Sequence, residues 1–351
     1  MIPAEAFRQT LRELFAPIVT HLENANVTEV LINGPREIYV EEHGRLHRTG
    51  DAFVSEAALL AAIRNLAQSV GRDIGRHTPV LEARFLDQAH VQVVVPPAAP
   101  SGPVLSIRRL PEVAATLDNL TETGVLGPVA SGILRQTVFR RCNVLIVGSS
   151  GPAKTTVLTA LASIIDPSER VVVLEERRQL RLTLPHLIRL EATSGSRESF
   201  APLGQPDLLP AALRLRPDRL LVGEIRGAEA LNLVRAMRSG LRGCLATLSA
   251  ATLVEGLRRL EALAFDSDPR SDRQLIRHAV ASAIDVVVEV VRSSEGAPVV
   301  SRISNLEPDE SVIGYFPRDL FVSDPTSPVP PGKGGPDATR RVAERQVGGD
   351  P

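Results

Sequence analysis

The first third of the chain has a mixed pattern of helical and strand periodicity. Apolar residues between positions 4 and 24 recur at helical spacing, which predicts an amphipathic helix. Residues 30–32 and 38–40 are short apolar runs on either side of Asn33-Gly34-Pro35, a pattern typical of a hairpin. Residues 55–70 indicate another helix, and residues 91–95 and 104–108 two more strands. These elements predict an α+β unit that ends near residue 115.

The pattern changes at about residue 125 to apolar runs that alternate with helical stretches. The runs cover residues 144–147, 171–174, 220–222 and 244–247, and we expect a helix after each. Such alternation favours a parallel sheet with crossover helices. It stops after residue 310, and residues 323–351 are rich in Pro, Gly, Ser and charge. The pattern therefore predicts three parts, 1–115, 116–315 and a disordered Pro/Gly-rich tail over 316–351.

Composition narrows the possible functions. The chain has 40 basic and 41 acidic residues, and its formal charge of -1 gives no global sign of nucleic-acid binding. Cys142 and Cys244 lie far apart and have no CxxC companion, which disfavours a zinc site or a disulfide-stapled fold. We find no signal-peptide pattern and no apolar run long enough to span a bilayer. We expect a cytoplasmic protein.

The strongest local signal is a small-residue loop between an apolar run and a helical run. A strand, such a loop and a helix that starts with Lys-Thr form a phosphate cradle, in which backbone N–H groups and the helix N-terminus hold the phosphates. Lys154 would neutralise phosphate charge, and the Thr155 hydroxyl would ligate Mg2+. An ordinary strand-to-helix turn is the alternative. The predicted nucleotide-binding residues of this loop are Gly148, Ser149, Ser150, Gly151, Pro152, Ala153, Lys154, Thr155 and Thr156.

One position of this loop departs from the GxxxxGK[ST] consensus, and a proline at another position also bears on phosphate binding. Ala153 replaces the glycine before the lysine, and Pro152 removes one possible N–H donor. If the backbone at 153 needs a positive φ, alanine costs about 1 kcal/mol. We then expect Ala153 to weaken nucleotide binding.

Carboxylates follow two other predicted strands. Glu224 ends the run 220–222 after Gly223, and Glu175 and Glu176 end the run 171–174. The carboxyl ends of parallel strands meet at one edge of a sheet, where α/β folds bind ligands. Glu224 would polarise the attacking water. Each carboxylate alone could equally be a solvated strand end.

The order of these motifs resembles the type II/IV secretion and pilus-assembly ATPases, with the tight-adherence pilus motors as the nearest type. The resemblance rests on NVLIVGSSGPAKTT, VVVLEERRQL and RLRPDRLLVGEIRGAEALNLVRAMRSGLRGCLATLSA, and on EVLINGPREIYVEEHGRL and SIRR near the N-terminus. It implies an α/β fold in which a smaller α+β N-terminal sensing domain precedes a RecA-like P-loop NTPase core with a parallel-rich sheet. It also implies ATP and Mg2+ as cofactors, a homohexameric ring, and an inner-membrane platform protein as partner, which would place the chain at the cytoplasmic face of that membrane. No nucleic-acid partner is expected.

The resemblance also assigns residues. It implies that Lys154 and Glu224 are catalytic and that Glu175, the acidic-box glutamate, is both catalytic and a metal ligand with Thr155. Further arginines that would contact or sense phosphates are Arg108, Arg214 and Arg226.

The chain departs from the family in the acidic box, which has Glu176 and Gln179, and in the histidine box, which has Ser249 in place of histidine. We expect the loss of this histidine to affect turnover more than affinity. Two alternatives to an active motor remain open. One is a hydrolysis-deficient scaffold or regulatory paralogue, and the other is a nucleic-acid-dependent NTPase.

Overall fold

The computed structural model divides the chain into two compact units, Met1–Glu112 and Val113–Pro351, close to the predicted boundary at 115. It describes residues 4–24, 26–42, 45–85, 89–109, 115–149, 153–193, 202–293, 298–309 and 314–323. Within these ranges, every helix is too short or too polar to cross a membrane.

The first unit is a six-stranded antiparallel sheet with helices packed on it. Its sheet order is β3-β2-β1-β6-β5-β4. The elements are α1 (Ala4–Leu14), α2 (Ala16–Glu23), β1 (Val27–Asn33), β2 (Ile38–Glu42), β3 (Arg45–Arg48), α3 (Glu56–Ser69), β4 (Val80–Phe85), β5 (Ala89–Val94) and β6 (Val104–Arg109). The predicted hairpin is present, with Leu31 opposite Tyr39.

The predicted single helix over residues 4–24 is wrong, because the chain forms two helices that meet at Phe15. Pro17 lies in the first turn of the second helix, where its missing N–H costs nothing. In a continuous helix the same ring would clash with the preceding turn and remove a hydrogen bond. Phe15 is fully buried at the junction and packs edge-on against Phe53 and Phe85.

The second unit contains an eight-stranded sheet and seven helices among the described residues. Its elements are α4 (Leu117–Glu122), α5 (Pro128–Phe139), β7 (Val144–Gly148), α6 (Ala153–Ala162), β8 (Val171–Glu175), β9 (Leu187–Glu191), α7 (Gln205–Arg214), β10 (Arg219–Val222), α8 (Glu229–Arg238), β11 (Leu245–Ser249), α9 (Leu253–Ser267), α10 (Arg273–Ala283), β12 (Val286–Arg292), β13 (Pro298–Asp309) and β14 (Gly314–Val322). The sheet order is β14-β13-β12-β7-β11-β10-β8-β9.

Strands β12 to β9 of this order are parallel, and β13 and β14 extend the sheet antiparallel at one edge. The predicted helix after β8 is absent, since residues 176–186 reach β9 without one. The predicted tail boundary at 316 is also wrong, because β14 continues to Val322. Pro317, Arg318 and Asp319 interrupt its apolar pattern, and an edge strand tolerates them because one of its sides has no ladder to complete. Residues 324–351 lie outside the described residues.

The parallel strands are buried on both faces. Side chains alternate along a strand, so Leu145 and Val147 of β7 join one core cluster, and Val144 and Ile146 join the other. Helices α7 to α10 cover the first face and α4 to α6 the second. Gly256 allows α9 to lie close to β7, since an added Cβ there would come within 2.7 Å of Val147 Cγ1. This close packing fixes the strand that leads into the phosphate loop.

Candidate nucleotide site

The loop between β7 and α6 begins where two strands approach closely. A Cβ at Gly148 would lie 2.6 Å from the carbonyl oxygen of Val290 on β12, nearer than real Cβ contacts allow. Only glycine fits this position without a backbone shift. The predicted loop residues Ser150, Gly151 and Pro152 lie outside the described residues, and Ala153, Lys154, Thr155 and Thr156 form the first turn of α6.

Lys154 is buried at the start of this helix, with 3% of its surface exposed. Its Nζ donates a hydrogen bond to the carbonyl oxygen of Ser149 at 2.7 Å, which holds the ammonium group over the loop. Burial lowers the pKa of Lys154, although nearby Glu224 opposes the shift. A desolvated ammonium group beside a helix N-terminus suits a phosphate, since the ammonium group and the helix N-terminus would both attract the negative charge of the phosphate.

Ala153 does not have the strained backbone that the consensus comparison suggested. It is the first residue of α6, where φ is negative, so a methyl group causes no left-handed strain there. Its side chain packs on the core cluster below the helix. The expected cost of about 1 kcal/mol from a positive φ therefore does not arise.

The carboxyl ends of β8 and β10 form a polar cleft beside Thr155. This arrangement follows from the parallel pairing of the two strands, which places Leu174 beside Val222. The residues that line the cleft are Thr155, Glu175, Glu176, Arg177, Gln179, Gln205, Gly223, Glu224 and Arg226. Gly223 lets the strands approach, since a Cβ there would lie 3.2 Å from Glu175 Cγ. The structure thus brings Thr155 and both predicted catalytic glutamates to one place.

Glu224 is held by two side chains. The Ser249 hydroxyl at the end of β11 donates to Glu224 Oε1, and Arg226 donates to Oε2 from Nε at 2.7 Å and lies 2.6 Å from it through Nη2. Burial would raise the pKa of Glu224, but these hydrogen bonds and the charges of Arg226 and Lys154 outweigh it and lower the pKa. Glu224 is therefore ionised at neutral pH.

Arg226 links the two strand ends. Its Nη1 also donates to Glu176, so its guanidinium bridges the carboxylates after β8 and β10. The backbone N–H groups of Arg226 and Gly227 both donate to Glu229 Oε1, at 2.6 and 3.0 Å, which fixes the turn. Arg226 lines the cleft, and its contact with phosphate stays a prediction.

Glu175 supports the cleft through its own contacts. Its Oε1 accepts N–H groups of Gln179 at 2.6 Å and Leu180 at 2.8 Å, and its Oε2 accepts Arg189 Nη1 at 3.1 Å. Burial raises the pKa of Glu175, against the opposing effect of these hydrogen bonds and of Arg189. A carboxylate oxygen accepts two hydrogen bonds, so one acceptor position remains on Oε2 for a metal ion or its water.

The other two predicted arginines lie on α7 and β6. Arg214 is the last residue of α7, about 14 Å along the helix from Gln205, which lines the cleft. Arg214 is not among the residues that line the cleft, and its contact with nucleotide stays a prediction. Arg108 lies on β6 of the first unit and pairs with Glu29 at 3.3 Å.

Several contacts at this cleft were not predicted from the sequence. Ser249 was noted only as a lost histidine, yet its position at the end of a strand next to β10 is the signal for a contact with Glu224. Arg189 and Gln205 carry no motif, because their approach depends on how β9 and α7 pack.

A parallel sheet with a lysine-bearing loop at its edge and a strand-end glutamate beside it defines a P-loop NTPase with a RecA-like core. The sequence model of the type II/IV secretion system protein family matches residues 12–305, and the chain belongs to this family. It is an ATPase of the kind that drives type IV secretion or pilus machines.

Known relatives agree with this assignment. The type IV secretion system protein PtlH of Bordetella pertussis is 32% identical over 305 residues, covering 79% of this chain and 89% of that protein. The Legionella pneumophila ATPase DotB has a similar fold, with a TM-score of 0.55 and 19% identity, covering 84% of this chain and 81% of DotB. The pilus retraction motor PilT, solved with bound ADP, gives a TM-score of 0.58 and 16% identity, covering 85% of this chain and 84% of PilT.

Proposed function

We propose that this chain hydrolyses ATP with Mg2+ as the working subunit of a homohexameric motor that docks on an inner-membrane platform protein from the cytoplasm. Family membership supports the ATPase activity. PtlH belongs to a type IV secretion system and PilT is a pilus retraction motor, and both similarities support this setting. The nearer likeness to tight-adherence pilus motors stays a prediction.

The hydrogen bonds that Glu224 accepts are the observation that carries this proposal. Arg226 fills both acceptor positions of Oε2. Among the described residues, Oε1 accepts only the Ser249 hydroxyl and keeps one acceptor position. A held carboxylate with one free lone pair is suited to orient a water molecule. Its lowered pKa makes it a weak base, so orientation of water is its main contribution.

The other residues would bind the nucleotide. Lys154 would give up its contact with the Ser149 carbonyl and neutralise phosphate charge, and the Thr155 hydroxyl would face the metal ion. A magnesium ion held beside Thr155 and Glu175 would supply positive charge against the phosphates. The described residues contain no cluster of three metal-binding side chains, which suits an ion that completes its shell with phosphate and water.

A regulatory subunit without hydrolysis is the second candidate. It is favoured by the bridge from Arg226 to Glu176 and Glu224, which occupies the arginine that would otherwise face phosphate. In an active motor Arg226 would release Glu176 when nucleotide binds and keep its contact with Glu224.

ATP turnover by the purified protein and two variants tests the proposal. We expect Lys154→Ala to lose Mg-ATP binding, because the ammonium acts on bound phosphates. Glu224→Gln should retain binding and lose hydrolysis, because the carboxylate acts mainly in the transition state. Wild-type binding without turnover would favour the regulatory subunit. Turnover that requires single-stranded DNA would favour a nucleic-acid-dependent NTPase.

A further inference from the structure

The first residue of α7 places an amide side chain in the cleft. Gln205 has 5% of its surface exposed and lines the same cleft as Thr155, Glu175 and Glu224. The buried Oε1 atom of Gln205 accepts no hydrogen bond from any described residue. A buried carbonyl oxygen without a partner costs about 1–3 kcal/mol, so such atoms are found where water or a ligand completes them.

The start of α7 does not require this side chain. The N–H of Gly204 donates to Asp207 Oδ2 at 2.9 Å, which closes the first turn. The next residue, Pro206, has no backbone N–H, so the first turn has one fewer donor that needs a partner. The helix therefore begins through Gly204, Pro206 and Asp207, and the burial of Gln205 needs another explanation.

The neighbours of Gln205 show which kind of ligand is missing. Glu175, Glu176 and Glu224 are acceptors when ionised and have no hydrogen to give to a carbonyl oxygen. The Arg226 guanidinium donates to Glu224 and Glu176, and the Lys154 ammonium donates to Ser149. Thr155, Arg177 and Gln179 also line the cleft and carry donors, but none of them donates to Gln205 Oε1. A water molecule or a ligand in the cleft can supply the missing donor.

We propose that Gln205 is a ligand-binding residue of this cleft whose carboxamide oxygen accepts a hydrogen bond from a water molecule in the shell of the nucleotide-bound magnesium ion. Magnesium keeps several waters when it binds through few protein ligands, and those waters are strong donors. Residues that accept hydrogen bonds from metal-bound water orient those water molecules and contribute to metal affinity. The proposal rests on the proposed function, because it requires Mg-ATP in the cleft.

The test compares nucleotide binding with and without magnesium. Dissociation constants for a fluorescent ATP analogue are measured in excess Mg2+ and in EDTA for wild-type protein and for Gln205→Leu, which has a similar size and no polar atoms. We expect the constant in Mg2+ to rise about tenfold in the variant and the constant in EDTA to stay unchanged. Gln274→Leu is the matched control, since Gln274 is an exposed glutamine in the first turn of α10. It should change neither constant.

Gln205→Glu separates an acceptor from a donor at this position. A glutamate keeps the acceptor and adds charge, so the Mg2+ concentration for half-maximal nucleotide binding should fall or stay the same. If the amide instead donates to a neighbouring carboxylate, Gln205→Glu should raise that concentration. In that case Gln205→Leu should also lower the melting temperature of the nucleotide-free protein.

A higher Mg2+ requirement in Gln205→Glu or a lower melting temperature in Gln205→Leu would overturn the proposal. Equal losses of nucleotide affinity in Mg2+ and in EDTA would overturn it as well. Wild-type protein that binds no nucleotide in either buffer would refute the proposed function as well. Normal Mg-dependent binding that is unaffected by Gln205→Leu would refute only the role of Gln205.

Discussion

Replacement of Ser249 by alanine should slow hydrolysis without weakening nucleotide binding. The Ser249 hydroxyl is one of two groups that hold Glu224, and it contacts the oxygen that keeps a free acceptor position. Its carbonyl oxygen accepts Arg259 Nη1 at 2.7 Å, so the end of β11 is fixed from the side of α9. Without the hydroxyl, Glu224 Oε1 can rotate away from the position at which it would orient water.

The size of this effect follows from the kind of bond that is lost. A hydrogen bond to a charged group contributes about 1.5–3 kcal/mol. If about half of that is expressed in the transition state, kcat falls about 4- to 12-fold. The dissociation constant for ATP should change less than about twofold, because Lys154 and Thr155 are untouched.

The assay is steady-state turnover together with equilibrium binding, measured for Ser249→Ala and Ser249→Thr. Threonine keeps a hydroxyl and should retain most of kcat. The matched control is Ser304→Ala on β13, which removes a hydroxyl that donates to Asp319 Oδ1 at 2.7 Å, away from the cleft. It should cost stability and leave kcat unchanged.

The pH profile gives a second readout. The Ser249 hydrogen bond helps to lower the pKa of Glu224, so its loss should move the acidic limb of kcat to higher pH. An unchanged kcat in Ser249→Ala, or a higher one, would refute the role of Ser249 in positioning Glu224.

Other changes test the loop before α6. Burial lowers the pKa of Lys154, so ATP affinity should begin to fall at a pH below about 10.4, the pKa of a free lysine. An arginine stays charged, so Lys154→Arg should bind ATP without this alkaline fall. Ala153→Gly should not tighten ATP binding, and its melting temperature should fall slightly, because glycine costs about 0.5–1 kcal/mol in a helix; a several-fold gain in affinity would contradict the helical backbone at 153. Gly148→Ala should lower the free energy of unfolding by about 1–3 kcal/mol, measured by denaturant titration, through its contact with Val290, and a neutral result would show that β12 can move.

The parallel core could be predicted because its strands carry their own signal. Buried parallel strands are continuous apolar runs, so β7, β8, β10 and β11 were found within a residue or two of their bounds. The carboxylates that follow β8 and β10 therefore had to meet at one edge. The placement of Lys154, Thr155, Glu175 and Glu224 at one edge of the sheet thus follows from local pattern, whereas the strand order does not.

The edge strands could not be predicted in this way, and neither could the side chains that contact Glu175 and Glu224. Strand β14 mixes Phe316 with Pro317 and charged residues, because an edge strand need not be apolar throughout. The contact of Arg189 with Glu175 joins residues from neighbouring strands in a register that no sequence spacing records. The same is true of the Ser249 hydroxyl and Glu224.

Three arginines that stand next to another arginine in the sequence have partners in the structure. Arg108, Arg141 and Arg259 each have a local partner, namely Glu29, Glu169 and the Ser249 carbonyl. These contacts account for their charge without a nucleic acid. The expectation that nucleic acid is not a partner stays a prediction, which the DNA arm of the turnover assay tests.

The most direct test of the central claim is the rate of phosphate release from Mg-ATP by wild-type protein and by Glu224→Gln, with nucleotide binding measured on the same samples. The structure predicts turnover in the wild type and at least a hundredfold lower rate in the variant, on the order of the loss of a group that acts in the transition state, with binding retained in both. Equal rates in the two proteins would contradict the assignment of Glu224, and binding without turnover in the wild type would contradict the motor itself.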